Sequence, residues 1–205
     1  MARLFRLYCL LFSICCILPT AEVAADDVAD LVKLLQSDQP KVRYDAARSL
    51  KKLGVKAEPA IKPLITALKD SGAPIEFDVQ YLGPRVRDAA SDALVRIGRP
   101  AVPALIEALK HKNAKTRDMA ARTLGELGPL AKNSFAALTR ALDDPEFWVR
   151  SSVVRALGSV GAEPKLVVPL LEQLFHSSQK KDYIRVEILE ALHAADPQGT
   201  MVIPI

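Results

Sequence analysis

Apolar residues recur along this chain with the spacing of one helix face. Val28, Leu31 and Leu35 are three and then four positions apart, and the same step relates Ile61, Leu64 and Leu68; Val102, Leu105 and Leu109; Phe135, Leu138 and Leu142; and Val167, Leu170 and Leu174. Each triplet predicts an amphipathic helix, here helix A. A second pattern follows each copy, with apolar or small residues at offsets 0, 4, 5, 8 and 11. It reads Val42, Ala46, Ala47, Leu50, Leu53; Val86, Ala90, Ser91, Leu94, Ile97; Thr116, Ala120, Ala121, Leu124, Leu127; Val149, Val153, Val154, Leu157, Val160; and Ile184, Ile188, Leu189, Leu192, Ala195. These are the B helices, and their small residues at offsets 4 and 5 let neighbouring helices come close.

Breakers punctuate the pattern. Gly54, Gly98, Gly128 and Gly161 each follow the last apolar position of a B helix, where glycine can close the helix in a left-handed conformation. Asp196 and Pro197 stand there in copy five. Pro63, Pro103 and Pro169 fall in or near the first turn of the next A helix, where a missing N–H costs little. The anchors Leu31, Leu64, Leu105, Leu138 and Leu170 are 33, 41, 33 and 32 residues apart. Two helices per unit of that length predict an all-α, right-handed α–α superhelix of about five helix pairs, at residues 27–54, 59–98, 100–128, 131–161 and 164–196, within a repeat domain spanning 26–205. Val202 and Ile205 match the start of a sixth helix A over 201–205, so a longer natural chain is expected.

One segment breaks the rhythm. Ile75, Phe77, Val79 and Tyr81 alternate with Glu76, Asp78 and Gln80, a strand period of two. Leu68 and Val86 are 18 positions apart where the equivalent step in repeats one, three and four is 7, so the second repeat carries an insertion at 71–83. Insertions in solenoids become loops on one edge, and this one offers Phe77 and Tyr81 to an extended peptide or pins them on the repeats.

The N-terminus carries a different signal. Arg3 and Arg6 precede a 12-residue apolar run from Leu7 to Leu18, followed by Pro19 and the small residues Val23-Ala24-Ala25. This predicts a secretory signal at 1–25, cleaved after Ala25, and a secreted or periplasmic chain that touches a membrane only if the signal stays attached. All 3 cysteines (Cys9, Cys15, Cys16) lie in that segment, so the mature chain is expected to hold no disulfide and no thiol chemistry. The formal charge of +4 over 205 residues, with no basic stripe, argues against nucleic acid.

The segments Val86–Lys110 and Thr116–Gly128 resemble bacterial HEAT repeats of the short type, the phycobilisome-lyase HEAT-like repeat, and the likeness runs over residues 27–205. The resemblance implies that the B helices line the concave partner surface, and that the arginines at offset 1 (Arg43, Arg87, Arg117, Arg150, Arg185) form a structural ladder at the inter-helix turns, with Asp38, Asp70 and Asp144 as acceptors. A solvent-facing B column is expected at offsets 2, 6 and 10. From it Tyr44, Arg48, Asp92, Arg96, Arg122 and Arg155 are partner-binding candidates, joined by Trp148 in the turn before the fourth B helix. His111, His176 and His193 form no His-Glu pair of the kind HEAT-like metal hydroxylases use, and no phosphate loop or nucleophile elbow is present. No catalytic residue, metal ligand or cofactor is expected. The favoured expectation is therefore a non-catalytic extracytoplasmic scaffold for a protein or peptide partner. The alternatives are a bilin-lyase-like enzyme subunit, against which the signal counts because that chemistry is cytoplasmic in the family, or the accessory domain of a longer enzyme. The sequence does not fix the oligomeric state.

Overall fold

A computed structural model describes residues 25–74, 84–178 and 184–198. Among them the regular structure is entirely helical, an all-α superhelix. Ten helices alternate between the two predicted types: α1 (Ala25–Leu34), α2 (Pro40–Leu53), α3 (Ile61–Ala67), α4 (Val86–Ile97), α5 (Val102–Ala108), α6 (Ala114–Leu127), α7 (Phe135–Ala141), α8 (Phe147–Ser159), α9 (Pro164–Ser177) and α10 (Ile184–Ala195). Odd-numbered helices are A and even-numbered ones B. Residues 1–24, the segment 75–83 with Phe77 and Tyr81, and residues 179–183 and 199–205 lie outside the described residues.

The turns follow from local chemistry. Gly54, Gly98 and Gly128 have φ of 57°, 82° and 57°. Their ψ values of −131°, −141° and −134° depart from the expected left-handed helical cap. That combination is essentially glycine-only, and it throws the chain into the 3-10 turns Gly54–Ala60, Arg99–Ala101 and Gly128–Ser134 that lead to α3, α5 and α7. Copy five lacks such a turn. There α9 begins directly at Pro164, so Pro169 sits inside the helix instead of in its first turn. Two B helices are capped by side chains: Asn113 Oδ1 accepts the Lys115 and Thr116 N–H groups at the start of α6, and Asp88 accepts the Arg85 N–H at the start of α4.

The core runs between the A and B layers. Leu50, Leu64, Leu68, Leu94, Leu105, Leu124, Leu138 and Leu157 are wholly buried, each stabilising the fold by about 1.5–3 kcal/mol before chain entropy is set against it. The buried side chains fall into two contacting groups. The larger extends from Val28 to Val160, and the smaller joins Val154 to Val167, Val168, Leu171, Ile184, Ile188, Ala191 and Leu192 of α9 and α10. Stacked B helices touch through their smallest residues. A Cβ on Gly125 would lie 3.2 Å from Ala156 Cα, and one on Gly158 only 2.7 Å from Ala191 Cα. Leu189, predicted buried at offset 5, is 52% exposed, and Val186 is 60% exposed. In the preceding copies offset 5 is covered by the next B helix, and among the described residues none follows α10.

Candidate functional site on the helix B face

The offset-1 arginines divide into distinct environments. Arg43 grips Asp70 through Nε (2.6 Å) and Nη2 (3.1 Å), while its Nη1 donates to the Ser37 and Asp38 carbonyls. Arg117 repeats this on Asp144 (2.6 and 2.9 Å) and on the His111 and Lys112 carbonyls. Arg150 donates to the Asp144 and Pro145 carbonyls. Arg185 donates to Phe175 and Ser178 and lies 3.6 Å above the Phe175 ring centroid. Arg87 differs: its Nε lies 3.9 Å from the Asp88 carboxylate. Asp38 contributes its carbonyl rather than its carboxylate to Arg43. Burial opposes ionisation of Asp70 and Asp144, but the guanidinium bonds and a backbone N–H outweigh it, so both carboxyls titrate below their ordinary range.

The expected B column is only partly solvent-facing. Offset 2 turns into the stacking joints: Asp118 and Ser151 are buried, Tyr44 and Asp88 partly so. Polar contacts cross each B–B joint: Lys51 to Asp92 (2.7 Å), Ser91 to Thr123 (2.6 Å), Ser152 to Asp118 (2.7 Å) and Ser151 to Glu187 (3.0 Å). Sequence reasoning missed these bonds, because a Ser or Thr among alanines reads simply as a small residue. Offsets 6 and 10 do face solvent, with Arg48, Asp92, Arg96, Arg122, Glu126 and Arg155 all exposed.

Within this face α6 and α8 leave a cleft of about 270 Å³ lined by Arg122, Gly125, Glu126, Ser152, Arg155, Ala156 and Ser159. It exists because Gly125 and Ala156 carry little or no side chain where the helices meet. Glu126 titrates above its ordinary range: neighbours strip water from its carboxyl although the residue reaches the surface, and the Asp92 charge adds to the effect. A larger recess of about 680 Å³ lies near α1 and α3, lined in part by Gln36, Lys62, Thr66 and Lys69, but its charged pair Arg43–Asp70 is already mutually satisfied.

Trp148 and Phe147 form the first turn of α8 itself, not the turn before it, and each is 46% exposed. Neither lines the α6–α8 cleft. His111 Nδ1 accepts the Asn113 N–H. Among the described residues no three His, Cys, Asp or Glu side chains gather where they could hold a metal ion, and no helix is long and apolar enough to cross a membrane.

Comparison with known proteins agrees with this geometry. The family model for HEAT repeats matches residues 79–133 and 102–193, and that for the PBS lyase HEAT-like repeat matches 42–70. The chain is 33% identical over 153 residues to phycocyanobilin lyase subunit alpha of Nostoc sp. (strain PCC 7120), covering 67% of this chain and 53% of that one. It thus spans about half the length of that curated relative. The complex of CpcE and CpcF of phycocyanin lyase from Nostoc sp. PCC7120 superposes with TM-score 0.56 at 26% identity, over 90% of this chain and 71% of the other. Importin beta superposes with TM-score 0.60 at 17% identity, over 83% of this chain and 26% of its own, a likeness of fold alone. The lyase relatives overturn the expectation of a non-enzyme. That expectation rested on missing catalytic motifs, and a repeat scaffold presents scattered side chains with no fixed spacing for a motif search to find.

Proposed function

The chain belongs to the HEAT-repeat family, and on that premise we propose that it is a subunit of a lyase-related enzyme of the bilin-lyase kind. The 33% identity with the alpha subunit of phycocyanobilin lyase carries this reading. In it the A helices and the Arg–Asp pairs make a stiff backing, and the B helices present an uneven row of charge to a tetrapyrrole and its protein client. Mixed charge on that face, with Arg48, Arg96, Arg122 and Arg155 beside Asp92 and Glu126, suits a protein surface better than a uniform polyanion. A relative solved as a two-subunit complex supports a protein partner for this chain as well.

An extracytoplasmic location is a separate proposal, supported by the charged start, the apolar run and the small residues that precede Asp26; it counts against the lyase reading, whose chemistry is expected in the cytoplasm. Protein recovered from its native cells should begin at Asp26; a chain that retains Met1 and stays in the cytoplasm would remove this part and leave the lyase reading standing. The lyase reading itself is tested by titrating the full chain with phycocyanobilin. A saturable change in the bilin absorption spectrum at one equivalent is expected. A spectrum unaltered at tens of micromolar protein would overturn the proposal.

A further inference from the structure

Along offset 6 of the B helices the residues are Arg48, Asp92, Arg122, Arg155 and Glu190. Arg48 lies over the Tyr44 ring, 5.9 Å from its centroid, and Asp92 is held by Lys51. The joint between α6 and α8 alone sets two cations at equivalent positions on stacked helices, and both line the same cleft. Each guanidinium is exposed, and no described residue bonds to it, in contrast to the ladder arginines Arg43, Arg117, Arg150 and Arg185.

Gly125 and Ala156 let α6 and α8 come close, and both arginines line the cleft left between them. Glu126 shares the cleft with them: desolvation raises its titration, while the Arg122 charge and the Ser91 hydroxyl, which donates to Oε2 at 3.5 Å, favour its ionised form. Two forked donors to which no described side chain hydrogen-bonds, on a floor of glycine and alanine, match the planar geometry of carboxylates.

We propose that Arg122 and Arg155 form a carboxylate clamp that holds the propionate side chains of a linear tetrapyrrole. This deepens the lyase reading and rests on it. A space of about 270 Å³ is smaller than the 300–1,000 Å³ of sites that enclose a drug-sized ligand. The clamp therefore grips the acidic end of the molecule and leaves the conjugated ring system over the B face, where a client protein can reach it.

The test compares phycocyanobilin with its dimethyl ester, in which both propionates are neutral, on the full chain and on three variants. Far-ultraviolet circular dichroism checks that each variant is folded, as expected for exposed positions. Arg122→Ala/Arg155→Ala should weaken binding of the free acid about 30-fold or more, and the ester should bind the unaltered chain as weakly as the acid binds that variant. Arg122→Lys should recover only part of the loss, because a point charge lacks the fork. Arg99→Ala/Arg140→Ala, at exposed positions off the B face, should leave affinity within about twofold. Equal affinity for acid and ester, or equal losses in the two double variants, would overturn the clamp while leaving bilin binding intact. Absence of any binding by the unaltered chain would instead overturn the lyase reading and the clamp with it.

Discussion

A single residue type serves opposite purposes on the two edges of each B helix. At offset 1 Arg43, Arg117, Arg150 and Arg185 are held by bonded acceptors, and at offset 6 Arg48, Arg122 and Arg155 reach solvent. Arg117 and Asp144 are 13% and 6% exposed as side chains, with two direct bonds between them. Lys51 and Asp92, by contrast, are 42% and 52% exposed. Arg117→Ala is therefore expected to cost about 2–3 kcal/mol, since it strands a nearly buried carboxylate, whereas Lys51→Ala should cost at most about 0.5–1 kcal/mol. Urea denaturation of the two variants checks the contrast, and equal losses would contradict it. A pH dependence follows from the same pair. The Asp144 carboxyl titrates lower when folded than when unfolded, so the unfolded chain binds the proton more readily. The resulting stability is present above the unfolded value, near pH 4, and is lost as pH falls through the depressed folded value. Asp144→Asn should lower Tm at neutral pH and make the acid limb of Tm against pH shallower. An acid limb as steep as that of the unaltered chain would show that other carboxylates set it. The arginine column was legible in the sequence because its offset repeats. Its acceptors were legible only in part, because Asp70 and Asp144 come from the following repeat and alternate repeats place Ser37, His111 and His176 there instead.

At the scale of elements, glycine does two different jobs. Gly98 has φ of 82° and nothing within 4 Å of an added Cβ, so Gly98→Ala meets only backbone strain, costing about 1–2 kcal/mol. Gly158 is helical, but its Cβ would meet the Ala191 Cα and carbonyl oxygen, both at 2.7 Å. Backbone cannot rotate away, so Gly158→Ala should force α8 and α10 apart and cost about 2–3 kcal/mol. Hydrogen exchange separates the mechanisms: Gly158→Ala should loosen α10 selectively, and Gly98→Ala should not. Helix existence was readable from the 3-then-4 step and from the B offsets, because those spacings are the burial pattern itself. Helix beginnings were less readable. Pro169 looked like a first-turn proline because Pro63 and Pro103 are, yet the absence of a 3-10 turn after Gly161 lets α9 start five residues earlier, at Pro164. Likewise Leu189 fits the B pattern and still faces outward, since burial at offset 5 depends on a following helix that periodicity within α10 cannot reveal.

For the whole molecule, the same dependence on neighbours governs how the fold comes apart. The candidate cleft was invisible in the sequence beyond its two arginines, because it exists only where α6 and α8 stack, and stacking is a property of adjacent repeats. Stability is distributed in the same way. In a solenoid each repeat contacts only its neighbours, so total stability is a sum of repeat terms and joint terms. Here the core is divided: α9 and α10 bury their apolar residues in a group of their own, joined to the rest through Val154 and through the partly buried Phe135, Leu142 and Ala162. That group holds fewer fully buried large side chains than the one running from α1 to α8. The outer edge of α10 gains nothing from a further described helix. Repeat five should therefore open as a unit while α2 to α8 remain folded. Native-state hydrogen exchange should show amides of α9 and α10 exchanging through a common opening about 1–2 kcal/mol below that of α4 and α6. Val154→Ala removes two methyl groups from the link between the groups and should widen the gap, lowering protection in α9 and α10 more than in α4. If every helix instead exchanges through one opening of equal free energy, and Val154→Ala lowers all of them alike, the molecule is a single cooperative unit and the division of its core has no energetic meaning.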